Sequence, residues 1–363
     1  MISVFDRLTH GVRGPFPAGT EREKRGFGPE KPSVRRSRRL PAWLCLALLL
    51  VAGGTSAQQS TQPAHPPAVP APDAAHGTPA VREQEPITPI PQPPAADPLK
   101  LALGEQLFGD RRLSHDGTLS CSSCHDIHTN GADDSRRTTA RDGSVLPTTV
   151  LSIFNAALNF RLNWEGDFRT LEAQAESSLE NPANMATSVD EVLGKLREDP
   201  KLVERFHQAY GRTPDRDGLL DAIALYERSL LTPGSRFDRW LEGDDAAITP
   251  QEKDGYRLFK SLGCVSCHQG VNVGGNLYER HGIFHPPGAP RPPLMRVPSL
   301  RNVATMAPYF QRGDTATLDA AVRNMADAQL DQTLSDRQVE MIVAFLNSLT
   351  GTFHGAPVVA PSP

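Results

Sequence analysis

Two strings, Cys121-Ser-Ser-Cys124-His125 and Cys264-Val-Ser-Cys267-His268, constrain this chain more than any other feature. Each has the form Cys-x-x-Cys-His, in which two thiols capture the vinyl groups of a haem as thioethers and the adjacent imidazole binds its iron. A zinc site or a redox dithiol would use the cysteines but leave the histidine after both copies without a purpose. Two covalent haems 143 residues apart call for two separate pockets, and so for two folded units.

The fifth cysteine, Cys45, lies in the apolar stretch Leu40–Ala52, behind Arg35, Arg36, Arg38 and Arg39 and ahead of Thr55-Ser56-Ala57. That order of basic, apolar and small residues predicts a signal peptide over 1–57 with a long n-region, and hence a periplasmic protein. The stretch is shorter than the ~20 residues a spanning helix needs. Residues 58–98 hold twelve prolines in forty-one positions and few large apolar side chains, which predicts a disordered tether. What remains is roughly 250 residues, enough for two domains of ordinary size. A formal charge of -4 gives no basic footprint, so nucleic acid is excluded as an implied partner.

Apolar spacing after the tether is helical, and the expected class is mainly α, with two cytochrome c-like domains at 99–246 and 247–351 and a C-terminal tail at 352–363. Asp97-Pro98 suits an N-cap and first helical position before Leu99, Leu103 and Leu107. Asp217 to Leu231 places Leu219, Leu220, Ile223, Tyr226 and Leu230 on one face, with Pro233-Gly234 as its end. Thr249-Pro250-Gln251-Glu252 and Ser335-Asp336-Arg337-Gln338 have the capping-box form, the latter opening a helix that Gly351 would stop. The Gly- and Pro-rich span Gly270 to Pro298 is expected to be a long functional loop.

In their order along the chain these motifs resemble the bacterial diheme cytochrome c peroxidases and the related diheme enzyme that oxidises tryptophan residues in methylamine dehydrogenase. The landmarks are Leu103-Gly104-Glu105-Gln106-Leu107-Phe108, Arg112-Leu113-Ser114, Asn163-Trp164-Glu165-Gly166, Gly270-Val271-Asn272-Val273-Gly274-Gly275, Leu300-Arg301-Asn302 and Ala307-Pro308-Tyr309-Phe310. The resemblance implies a peroxide-reacting haem held by Cys121, Cys124 and His125, and an electron-accepting haem held by Cys264, Cys267 and His268. It makes Met325 the second ligand of the latter iron, with Met306 the runner-up, and a thioether there raises the potential and fills the sixth position. Trp164 resembles the tryptophan between the haems, a relay for electrons. Gln174 matches a glutamine of the reactive pocket. The resemblance also implies hydrogen peroxide as substrate, a small electron-donor protein (a c-type cytochrome or a copper protein), and a homodimer.

The sequence departs from that family at the reactive site. Many members carry a histidine after the first motif that blocks the iron; the matching stretch Thr138 to Gly143 has none, so the first haem is expected to be high-spin without prior reduction. The family's distal glutamate lies ten residues beyond the glutamine, and that position here is Asn184. An amide hydrogen-bonds peroxide but cannot take up and return its proton near neutral pH, which predicts weak or specialised activity. Glu176 and Glu180 are the nearby carboxylates. The resemblance also implies a calcium between the domains, held by carbonyls of Met306 to Pro308, although its asparagine side-chain position falls near Val145, whose side chain offers no oxygen. The leading expectation is a diheme peroxidase that reduces hydrogen peroxide to water. The alternatives are an enzyme oxidising aromatic residues of a partner protein, and a non-enzymatic diheme electron carrier.

Overall fold

The computed structural model describes residues 84–133, 140, 143–286 and 292–362. The expected signal peptide with Cys45, the expected tether as far as residue 83 and most of the loop Thr138–Gly143 lie outside the described residues. Helices dominate the rest, and strands occur only as two-residue pairs: β1 (Tyr278–Glu279) with β2 (Met295–Arg296), and β3 (Thr352–Phe353) with β4 (Ala356–Pro357).

The first domain opens with α1 (Pro98–Phe108), where the Asp97 carboxylate accepts from the Leu99 N–H at 2.8 Å and Pro98 occupies the first turn. Then come α2 (Leu171–Glu180), α3 (Val189–Arg197), α4 (Pro200–Tyr210) and α5 (Arg216–Ser229). Their shared core holds Leu103, Leu107, Val192, Leu196, Phe206 and Ile223. The chain closes α1 on α5 so tightly that a Cβ on Gly104 would stand 2.0 Å from the Ala222 carbonyl oxygen. α5 starts at Arg216, one residue ahead of the expected Asp217, because Asp215 caps the helix by accepting from Gly218 N–H.

The second domain repeats the plan. α6 (Arg236–Leu241), α7 (Pro250–Ser261), α8 (Leu318–Leu330) and α9 (Asp336–Asn347) enclose Phe237, Tyr256, Phe259, Ile342 and Phe345. A Cβ on Gly255 of α7 would stand 1.9 Å from the Met341 carbonyl oxygen on α9. Both capping boxes form: Thr249 N–H donates to Glu252 at 2.7 Å, and Ser335 N–H to Gln338 at 2.9 Å. α9 ends at Asn347 rather than at Gly351, since the Ser348 carbonyl is used by the Phe237 N–H. α6 falls within 99–246 yet buries Phe237, Trp240 and Leu241 in the second core.

The tether expectation fails for its last stretch. Ile87 and Ile90 are 1% and 3% exposed, and Ile87 enters the second core. Backbone groups there also find partners, with Gly270 N–H on the Pro86 carbonyl and Arg301 Nη2 on the Thr88 carbonyl. Pro-rich composition obscured two isoleucines that bury and a run of carbonyls that are accepted. The C-terminal tail likewise folds back, burying Val358 beside Phe108, Ile153 and Phe154 of the first domain.

Candidate functional site

Both histidines of the Cys-x-x-Cys-His strings are oriented by backbone carbonyls. His125 Nδ1 donates to the Gly131 carbonyl at 3.1 Å, and His268 Nδ1 donates to the Val273 carbonyl at 3.2 Å. A carbonyl only accepts, so Nδ1 carries the proton and Nε2 keeps a free lone pair for iron. Burial lowers the pKa of both rings, that of His268 to about 4, which keeps the imidazoles neutral as a ligand must be.

The four cysteines form no disulfide and are half-buried. Burial pushes the Cys121 thiol up to about 12, with Glu227 adding to it, and the Cys264 thiol up to about 11. Burial thus keeps these thiols protonated and poorly nucleophilic at neutral pH, unlike the exposed, low-pKa thiolate of a redox dithiol. Around the second motif lies a cavity of about 600 Å³ lined by Cys264, Cys267, His268, Met306 and Met325. Two thioether sulfurs thus share a wall with the second proximal histidine, and Met325 is carried there on α8. The donor set and the space fit a c-type haem.

Trp164 lines the same cavity, with its Nε1–H donating to the Thr149 carbonyl at 2.9 Å. Its loop is clamped by the antiparallel bridge Leu162–Phe168 and by Tyr278 Oη donating to the Gly166 carbonyl at 2.8 Å. Gln174 on α2 reaches that loop through Asn163 Oδ1 at 3.4 Å and holds Ser178 Oγ at 3.0 Å. Asn184 lies in the turn after α2, half-buried, and the neighbouring Met185 carbonyl accepts from the His115 N–H just ahead of the first motif. The structure therefore links Gln174 to the loop of Trp164, which lines the second cavity, and ties the turn that holds Asn184 to His115, upstream of the first motif.

Of the substitute carboxylates, Glu176 is committed to Arg216, with Nε to Oε1 at 2.7 Å, and Glu180 is exposed. His115 pairs with Glu191 at 2.9 Å and His128 is exposed. Val145, near the expected calcium asparagine position, is 50% exposed and its side chain has no oxygen to offer a cation.

Two residues of the sites were not picked out from sequence. Glu227 on α5 is 4% exposed, and its Oε2 has no hydrogen-bond partner; burial, reinforced by Glu172, raises it to about 8. Arg296 on β2 is 3% exposed in the wall of the second cavity. A helix glutamate and a strand arginine carry no signal in sequence, where both are ordinary solvent-facing residues.

Comparison with known proteins accords with this architecture. The family described as di-haem cytochrome c peroxidase matches residues 98–246, and cytochrome c matches 252–350. The chain is 39% identical over 298 residues to cytochrome c peroxidase of Escherichia coli, covering 77% of this chain and 64% of that protein. It is 37% identical over 297 residues to cytochrome c551 peroxidase of Nitrosomonas europaea, covering 77% and 88%. A solved MauG-like protein associated with microbial copper homeostasis superposes with a TM-score of 0.62 at 26% identity, over 72% of this chain and 93% of that one. With two Cys-x-x-Cys-His motifs, two helical cores and these matches, the chain belongs to the di-haem cytochrome c peroxidase family and carries two covalently bound haem c groups.

Proposed function

We propose that this protein is an exported, periplasmic peroxidase that reduces hydrogen peroxide to water at the His125 haem, with electrons entering at the His268 haem from a small redox protein. The observation that carries the reading is asymmetry. Two methionines, Met306 and Met325, line the second cavity, whereas the turn tied by its Met185 carbonyl to His115, upstream of the first motif, holds the polar residue Asn184. A six-coordinate thioether-ligated centre suits electron transfer, and a centre with an open position suits chemistry. The bound haems supply the redox steps, in which one peroxide, two electrons and two protons become two waters.

The protein's own groups orient and relay. Gly131 and Val273 fix the two imidazoles. Met325, on the wall of the second cavity, would be the thioether that holds the second iron opposite the protein's histidine motif and suits it to electron transfer. Trp164, pinned by Thr149, stands in the cavity wall and connects through Asn163 to Gln174, which supports it as the electron relay. Asn184 would donate a hydrogen bond to peroxide at the first haem, while Gln174, whose amide N–H groups go to Asn163 and Ser178, holds the tryptophan loop in place. Neither shuttles a proton near neutral pH, so proton delivery limits the rate.

Mixing the haem-loaded protein with peroxide and either a reduced c-type cytochrome or a reduced copper protein tests this directly. Two donors oxidised per peroxide are expected; no oxidation of either donor sinks the proposal. Asn184 in place of a carboxylate also favours a second reading, oxidation of aromatic residues in a partner protein. Under that reading, peroxide with no donor would oxidise the side chains of an added peptide bearing Trp and Tyr, and donor turnover would be absent.

A further inference from the structure

The cavity around Cys264, Cys267 and His268 holds one charge that the chain itself does not neutralise. The Arg296 backbone N–H donates to the Trp164 carbonyl at 3.2 Å, and its Nε donates to the Asn163 carbonyl at 3.1 Å. Its Nη1 has no hydrogen-bond partner, and no carboxylate pairs with the guanidinium among the described residues. Arg301, also on this wall and 4% exposed, shows what the fold does with a buried cation it intends to satisfy. There Nη1 meets Asp238 Oδ1 at 2.6 Å, Nη2 the Thr88 carbonyl at 2.7 Å and Nε the Val271 carbonyl at 2.8 Å. Arg280, at the cavity rim, is exposed and needs no such partner.

Burial lowers Arg296 only to about 10, so it remains charged at neutral pH. A buried cation without a counter-ion is strongly unfavourable. The missing anion must come from what fills the cavity, and a haem carries carboxylates at its edge. We propose that Arg296 is the counter-ion of a carboxylate of the second haem, and that its bonds to Asn163 and Trp164 fasten that haem edge to the tryptophan loop. Arginine suits this role because its planar fork binds a carboxylate while Nε stays engaged elsewhere. A fixed positive charge near the iron opposes the ferric state and so raises the potential of the haem that accepts electrons.

The inference rests on the second haem being bound, not on peroxide turnover, so failure of the peroxidase reading leaves it standing. The test is the midpoint potential of the second haem in haem-loaded Arg296→Gln and Arg296→Lys, followed by spectroelectrochemistry. R296Q is expected to shift the potential downward, and R296K to stay close to the unsubstituted protein. Unchanged potentials in both variants overturn the proposal, as does an equal fall in both, which would mark packing and not charge. If R296Q takes up no haem, resonance Raman of the unsubstituted protein decides, recorded with only the second haem reduced. A propionate bending mode at the hydrogen-bonded position supports the assignment, and one at the free position overturns it.

Discussion

Asn184 concentrates the residue-scale question, because it is a hydrogen-bond donor placed where the resemblance leads one to expect a proton carrier. A positioned acid–base group contributes ~10² to 10⁴ in rate. Asn184→Glu is therefore expected to raise the initial rate of donor oxidation at saturating peroxide by at least about tenfold; an unchanged rate would remove position 184 from the proton path. Glu227 gives a second residue-level prediction, this one about stability. Its pKa rises from an ordinary 4.5 to about 8 because the folded chain withholds water from it. The native state thus binds the extra proton, and stability present below pH 4.5 is lost as pH rises through about 8. Glu227→Gln should remove that fall, gaining up to a few kcal/mol over the parent at pH 8 and little at pH 4.5 in denaturant titrations. Equal pH profiles would be inconsistent with a neutral buried carboxyl. The two Cys-x-x-Cys-His strings were legible in the sequence because their pattern is local, two cysteines at fixed spacing with a histidine directly after the second. Glu227 and Arg296 were not, since what makes them unusual is burial created by residues far along the chain.

Helices were legible where their ends carry side-chain chemistry. Asp97, Thr249 and Ser335 each cap the helix that the sequence places after them. Less legible was the reason for Gly104 and Gly255, which sit mid-helix where glycine costs ~1 kcal/mol against alanine. Their purpose is a crossing: each lets a second helix backbone approach to a distance that a Cβ forbids. Only the packed pair shows this, because the partner residues, Ala222 and Met341, lie far along the chain. Gly255→Ala would gain the propensity term yet drive α7 from α9, at about 1–3 kcal/mol or more. A fall of several degrees in Tm is expected in calorimetry of the haem-loaded protein, and a Tm at or above the parent value would refute the crossing argument. Gly194 on α3 provides the control, as nothing lies within 4 Å of its Cβ position. Gly194→Ala should stabilise by up to ~1 kcal/mol.

At the scale of the molecule, buried amides bind the haem domains to each other. Asn272 donates to the Asn155 carbonyl at 3.0 Å, and Asn302 donates to Thr232 Oγ1 at 3.0 Å. Asn130 donates to the Thr305 carbonyl at 2.6 Å across the same boundary. Such groups are costly to bury unpaired, so separating the domains would expose several at once. The N-terminal strap ahead of α1 adds a further tie, because it belongs in sequence to the first domain's approach but packs on the second. Glu85 accepts from Tyr256 Oη at 2.7 Å and Lys260 Nζ at 2.8 Å, while Ile87 fills the second core. No local pattern announces this, since two isoleucines among prolines look like linker until the surface they cover exists. If the strap is part of the core, Ile87→Ala should cost about 2–4 kcal/mol, as a fully buried isoleucine does. The loss should appear in the same unfolding transition whether followed by helix signal or by the absorbance of either haem. A cost below ~0.5 kcal/mol, the range of surface substitutions, would return the strap to the tether.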